Sequence, residues 1–460
     1  MSAEKKKSVI KEQLNVATML PRDYASRTVS AKGMAAIWFA MAICVSLFTQ
    51  SAELFTSLSV GEIVIALFVA HTFLCVIMWF TQDFGIRYGI PFAMALTPSF
   101  GYIGKYVPII FRAFPGMFWF GFQTYLGADA INAMTEMVWG YDNMMLWLVL
   151  LAVVQVAHTC LGIKAVSRLS NLSSPLLLFV GIYLLYILFT NYDVSFGEVL
   201  QMRGEGGTTT LIGAILMYIG GWATLAGSIS DITRECKTTE EDAKDWWKST
   251  KTFMAAQWIG LVPATVLFGM IGAIGMALTG EWNPIRVMVY VIGAENNVMM
   301  FICLAFVILA TWATNDTGNL YPAAYAVTSL FPKKAKFWHG VVVAGILGVA
   351  IRPWAAAGNI INITTLIGCF LAPVIGIMIV DYYVLRKRRL KVEDLYKMEG
   401  QYQYWHNINP AAVIATIVGI VVSLPLWNYV FFVGIVSGGV LYYFLMKYWI
   451  CKVYPQEDMQ

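Results

Sequence analysis

The 460-residue chain is 59% hydrophobic and 13% charged, with a formal net charge of +4. A water-soluble fold cannot hide that much apolar surface, so a soluble enzyme is excluded and a lipid bilayer is the expected solvent. The basic residues follow the sides of the expected membrane spans and do not gather into a domain with interleaved aromatics, which argues against nucleic acid as a partner.

The first 33 residues are polar and carry Lys5, Lys6, Lys7, Lys11, Arg22, Arg27 and Lys32. No short apolar stretch with a cleavage site follows them, so a removed signal peptide is not expected. Twelve apolar runs then fall near 34–57, 62–81, 106–138, 143–163, 172–191, 209–230, 252–279, 298–330, 338–356, 361–385, 411–427 and 430–450. Each can cross a hydrocarbon core of about 30 Å as a helix, and helices satisfy their own backbone groups in lipid. With the N-terminal arm in the cytoplasm, 28 of the 31 Lys and Arg residues fall on the cytoplasmic side, leaving Arg203, Arg286 and Arg352 outside. That asymmetry predicts a multi-pass protein of the plasma or inner membrane with both termini cytoplasmic.

Between the sixth and seventh runs, DITRECKTTEEDAKDWWKST reads as an amphipathic cytoplasmic surface helix over about 231–251. The stretch DYYVLRKRRLKVEDLY from Asp381 reads as a cytoplasmic membrane anchor, with a regulatory lipid site as the alternative. The seven cysteines are scattered, with no CxxC pair or metal spacing. His71 and His158 lie inside spans, where packing or a proton relay could hold them, while Glu53 and Asp129 lie towards outer span ends, where interfacial water would solvate them.

Four spans carry candidate chemistry. The first contains Phe39-Ala40-Met41-Ala42-Ile43-Cys44 and the sixth Gly220-Gly221-Trp222 at similar depth. Interrupted helices in matching positions point to a central transporter site, although small residues also mark ordinary helix packing. In the third span Trp119 and Gln123 stand four residues apart, on one helix face. The eighth reads Ala310-Thr311-Trp312-Ala313-Thr314-Asn315-Asp316-Thr317-Gly318-Asn319, and polar positions at that depth are expected to face a hydrated cavity or a ligand. Trp119 and Trp222 could sandwich a flat ring whose amides meet Gln123 and Asn319, or they could be core aromatics.

FWFGFQTYLGA at Phe118, VSRLSNLSSP, GGWATLAGSISDITRECK at Gly220, GEWNP and LATWATNDTGNLYPAAY at Leu309 are collinear blocks covering most of the chain. Through them the chain resembles the nucleobase:cation symporter-1 family. The resemblance implies an all-α polytopic membrane protein of twelve transmembrane helices. Its expected form is a five-plus-five inverted repeat of the LeuT type, with helices one and six broken and two extra C-terminal helices. The expected parts are a cytoplasmic arm (1–33), a first repeat (34–191), a second repeat (209–385), a cytoplasmic loop (386–410), two further helices (411–450) and a cytoplasmic tail (451–460). The resemblance also implies alternating access between a four-helix bundle and a scaffold.

The resemblance carries substrate roles onto Trp119, Gln123, Gly221, Trp222 and Asn319. Cys44 stands where the family's hydantoin-transporting branch has a glutamine. The implied sodium site comprises the carbonyls of Ala40, Ile43 and Ala310 and the hydroxyl of Thr314, and it is weakened because Ala313 replaces a serine. Asp316 replaces a proline, which makes it a coupling or gating candidate: it could carry a proton, pair with a cationic solute, or be purely structural. The expected function is import of a small planar nitrogen heterocycle (a nucleobase, hydantoin, allantoin or relative) coupled to Na+ or H+. No other cofactor is expected, and a monomer is the assembly considered. A sensor or uncoupled facilitator is the alternative; a membrane enzyme would need a metal cluster or an activated nucleophile, and neither is seen in the sequence.

Overall fold

The computed structural model describes residues 19–293, 296–331 and 334–459. Lys5, Lys6, Lys7 and Lys11 of the expected cytoplasmic arm lie outside the described residues. Among the described residues the chain is helical, with no β-strand and two isolated bridges, Val29 to Cys236 and Ser59 to Arg203. The principal helices are α1 (Ala31–Ala42), α2 (Val45–Leu54), α3 (Val60–Thr81), α4 (Tyr106–Trp139), α5 (Met144–Cys160), α6 (Ile163–Tyr192) and α7 (Leu211–Ser228). They continue as α8 (Trp246–Thr279), α9 (Asn297–Asn315), α10 (Tyr321–Ser329), α11 (Phe337–Ala350), α12 (Ile360–Ile379), α13 (Pro410–Ser423) and α14 (Val430–Leu445).

Among the described residues, seven helices are long and apolar enough to cross a membrane, or eight with the bent pair α1 and α2 counted as one span. The shorter α5 and α11 are also apolar. The apolar stretch Pro410–Val453 is turned at Leu424–Tyr429, where Leu426 leaves helical geometry, and α13 packs beside α14. Helix starts follow local chemistry. Ser59 and Glu62 form a capping box at α3, while the Ser30 and Thr210 hydroxyls accept from Gly33 and Gly213 at α1 and α7.

Two groups of helices flank the centre. In one, α8 packs along α1, α2 and α3, with α7 on α3; in the other, α4 packs along α5, α9, α10 and α11. At the α4/α11 crossing, a Cβ on Gly121 would lie 2.0 Å from the Gly348 carbonyl oxygen, so that approach requires glycine.

The first span is interrupted: α1 and α2 meet at 56°, with Ile43 and Cys44 outside helical geometry. The sixth is not. Contrary to expectation, α7 stays helical through Gly220 and Gly221. The glycines serve packing instead, since a Cβ on Gly220 would come within 3.0 Å of the Thr364 carbonyl oxygen and 3.2 Å of the Gly368 Cα on α12.

Three charged features also differ from expectation. Asp129 is buried, bonded by Asn283 at 2.7 Å and Arg286 at 3.0 Å, so it is an ion-paired link and not a solvated span end. The stretch 231–251 is no single surface helix: Glu240–Lys244 forms one short helix, and Trp246 already opens α8, where it stacks on Trp79 at 4.5 Å. In the basic cluster after Asp381, Arg386 is fully buried between Asp381 and Asp458, and Arg388 grips Asp83 at 2.7 and 3.0 Å. These two arginines are therefore structural and do not lie on a membrane surface.

Candidate functional site

A cavity opens where the two helix groups meet the break in the first span. Its aromatic walls are Trp119 from α4 and Trp222 from α7, each only 7% exposed. Neighbours fix both rings. Phe118 and Phe122 meet Trp119 edge-on with centroids at 5.2 and 5.8 Å, while Trp222 is backed by Trp38 at 6.4 Å and edge-on by His71 at 5.7 Å. His71 itself bonds the Leu67 carbonyl at 2.7 Å, which gives it a packing role.

Polar groups reach the same space from three helices. Gln123 lies one turn beyond Trp119, with Oε1 3.1 Å from the Thr314 hydroxyl and Nε2 donating to Ser46 Oγ at 3.5 Å. Asn319 donates to Asn315 Oδ1 at 2.9 Å, and Asn315 is tied to Phe120, Thr124 and Gln155. This network braces the wall by joining α9 to α4 and α5. Gly221 offers bare backbone to the cavity, and the buried Cys44 thiol accepts from Ser46 at 3.5 Å.

The candidates Trp119, Gln123, Gly221, Trp222, Asn319, Cys44 and Thr314 thus share one cavity. Asp316 does not. Its carboxylate is bonded by His158 Nδ1 at 2.7 Å and Trp312 Nε1 at 3.1 Å, outside the cavity lining. Two residues beyond Thr314 amount to about 200° of helical rotation, so Asp316 must leave the wall that Thr314 faces. In this arrangement the Asp316 carboxylate faces His158 and Trp312 and not the cavity. The π-helical turn Asp316–Leu320 then returns Gly318 and Asn319 to the lining.

At the break, backbone groups are released. The amide of Cys44, which would bond the Ala40 carbonyl in a continuous helix, bonds Ala42 at 2.9 Å, and that of Leu47 bonds Cys44 in place of Ile43. The Ala310 carbonyl accepts from the Thr314 hydroxyl at 2.9 Å, and Ala313 adds no oxygen.

Sequence reasoning missed several lining residues, Gln50 and Arg112 foremost. Gln50 and Arg112 are 3% and 4% exposed, and Arg112 donates through Nε to Ser228 at 2.9 Å. Both were findable, because a polar or charged side chain inside an apolar span demands a partner. The assembled chemistry is aromatic and amide recognition. Among the described residues, no group of three His, Cys, Asp or Glu side chains could hold a metal.

Residues 21–451 match the model of a family described as permeases for cytosine/purines, uracil, thiamine and allantoin. The chain is 37% identical to a hydantoin permease of Microbacterium maritypicum, over 95% of this chain and 89% of that one. It is 25% identical to an allantoin permease of Bacillus subtilis, over 93% and 92%. Its structure is similar to that of Mhp1, a nucleobase-cation-symport-1 family transporter closed around bromovinylhydantoin, with a TM-score of 0.90 at 37% identity, covering 97% and 98% of the two chains. A sodium-coupled sialic acid symporter shares the fold at a TM-score of 0.63 and 15% identity, over 96% of each chain.

Proposed function

This chain belongs to the family of permeases for cytosine/purines, uracil, thiamine and allantoin, and from that membership we propose how it works. It is a multi-pass membrane transporter of the nucleobase and hydantoin class, not an enzyme. In our reading Trp119 and Trp222 hold the planar ring, Gln123 and Asn319 meet its amide edges, and Gly221 lets the backbone approach it. Cys44 contributes shape where a stronger hydrogen-bonding group could stand. The observation that carries this is the convergence of two braced indoles and two amides on a single cavity between the helix groups. Rocking of the α1–α3, α7 and α8 group against the α4, α5 and α9–α11 group would expose the cavity to alternate sides.

The coupling cation is Na+ or H+. Sodium is supported by the released carbonyls of Ala40 and Ile43 beside Ala310 and Thr314, an oxygen set made thin by Ala313. A proton is supported by Asp316, which sits outside the cavity and is bridged to His158. Orientation with both termini in the cytoplasm, in the plasma or inner membrane, follows from the skewed basic residues. We further read 34–191 and 209–385 as the two repeats and the working unit as a monomer.

The test is uptake of radiolabelled uracil, hydantoin and allantoin into proteoliposomes under a sodium gradient, a proton gradient or neither. Concentrative uptake under one gradient supports symport. Equilibration alone would make the protein a facilitator, and no uptake of any ring would remove the assignment.

A further inference from the structure

Gln50 lies on α2, beyond the break in the first span, and is 3% exposed while lining the cavity. Its Nε2 donates to the Ser46 carbonyl one turn earlier at 3.3 Å. That bond settles which way the amide faces, because a carbonyl can only accept and a flipped amide would set oxygen against oxygen. The Oε1 atom is then left without a hydrogen-bond partner among the described residues. It lies against the bare backbone of Gly221, where a Cβ would sit 3.5 Å from it, on a helix that also carries Trp222. A buried amide oxygen with no donor is a costly group to leave idle. The cavity's other two amides already hold protein partners, Gln123 with Thr314 and Ser46 and Asn319 with Asn315, and meet a ring only with the capacity those bonds leave. Gln50 Oε1 is thus a vacant acceptor on a residue that lines the cavity, beside Gly221.

We propose that Gln50 determines specificity by accepting a hydrogen bond from a ring N–H of the transported heterocycle. The favoured solutes are then lactam, imide or ureide rings with an unsubstituted nitrogen at that edge, and rings alkylated there are rejected. The methyl group would remove the donor and press on the Gly221 backbone. This inference rests on reading the cavity as the solute site, and it deepens that reading by naming which atom of the solute is read.

The experiment uses the full-length purified protein with hydantoin, uracil and their individual N-methyl derivatives, with affinity measured by calorimetry and by thermal shift. In the native protein, methylation at one particular nitrogen should weaken binding at least about tenfold, the scale of one lost hydrogen bond to a site built for it. The Gln50→Met variant, which keeps the length but not the acceptor, should bind the parent ring about tenfold more weakly. It should also bring parent and methylated ring to within about threefold of each other. If every methylated ring binds the native protein as tightly as its parent, the inference is overturned whatever the variant does. It is equally overturned if Gln50→Met folds normally and keeps the native discrimination, since ordered water would then satisfy Gln50. If neither parent ring binds the native protein, the transport reading falls first and takes this inference with it.

Discussion

Thr314 Oγ1 stands 3.1 Å from Gln123 Oε1 and 2.9 Å from the Ala310 carbonyl, so its one proton serves either, and it joins the hydroxyl of the proposed cation site to an amide of the proposed solute site. A hydroxyl that gives its proton to either oxygen still has lone pairs for a cation, so ion and solute would be felt through a single side chain. Thr314→Val is expected to abolish the cation dependence of ligand binding and to loosen Gln123. Thermal shift of the ligand-bound protein, with and without sodium, measures this; an unchanged sodium effect would remove Thr314 from the site.

Ala313→Ser tests the same site in the opposite direction. It adds back an oxygen where none exists, and the sodium concentration for half-maximal uptake is expected to fall by roughly 3- to 10-fold, up to about 1.4 kcal/mol. No change under any gradient would argue that protons alone drive uptake.

Truncating an indole should be severe. Trp222→Ala empties a wall buttressed by Trp38 and His71 and is expected to weaken ligand affinity by roughly 100-fold or more, on the scale of an aromatic anchor in a desolvated pocket. Calorimetric titration reads this directly, and native affinity in the variant would contradict the clamp.

Asp316→Asn separates coupling from recognition. Because the carboxylate faces His158 and Trp312 and not the cavity, ligand affinity is expected to stay within about twofold of native, less than about 0.4 kcal/mol. Any dependence of uptake on a proton gradient should disappear. A large loss of affinity would instead mean that Asp316 acts on the cavity wall.

Lys105, just ahead of α4, is buried with no carboxylate partner among the described residues; its Nζ reaches Thr97 Oγ1 at 3.2 Å and sits 4.2 Å above the Tyr102 ring. Burial pushes its ammonium down to about 7 from an ordinary 10.5. Between those values the unfolded chain holds the proton more firmly than the folded one. The penalty is therefore complete below pH 7 and fades as pH rises towards about 10.5. Lys105→Met is expected to raise the unfolding temperature at pH 7 and to lose most of that gain by about pH 10. A constant difference across that range would point to packing.

Breaking the buried cluster at Arg386 should be costly wherever it is cut. Asp458 also accepts from Tyr402 at 2.6 Å and Gln401 at 3.0 Å, and Asp381 from Tyr442 at 2.6 Å. Asp458→Ala leaves a desolvated guanidinium with one carboxylate, for an expected loss of roughly 3–5 kcal/mol. Thermal unfolding of the ligand-free protein measures it.

What the sequence disclosed depended on whether a cause left a unique mark. Apolar run lengths gave the helices, and the four-residue spacing of Trp119 and Gln123 put them on one wall. The glycine pair was ambiguous, because close packing against Gly368 and an interrupted helix require the same residue. For Asp316 the sequence showed depth within the span but not the angle about the helix axis that turns the carboxylate towards His158. Arg386 looked like any cytoplasmic arginine until Asp458, 72 residues away, closed on it. Gln50 was passed over because a single amide in an apolar run gives no hint of which of its atoms is already occupied.

The π turn at Asp316–Leu320 behaves as a one-residue insertion carried inside the eighth span. Removing that surplus residue would close the turn as ordinary α-helix and keep α9 and α10 in phase, so Ala323 would still face Gly116, where a Cβ would meet it at 3.0 Å. A one-residue deletion inside this turn should therefore disturb the packing of α10 less than the same deletion elsewhere in α9, which would rotate everything after it by about 100°.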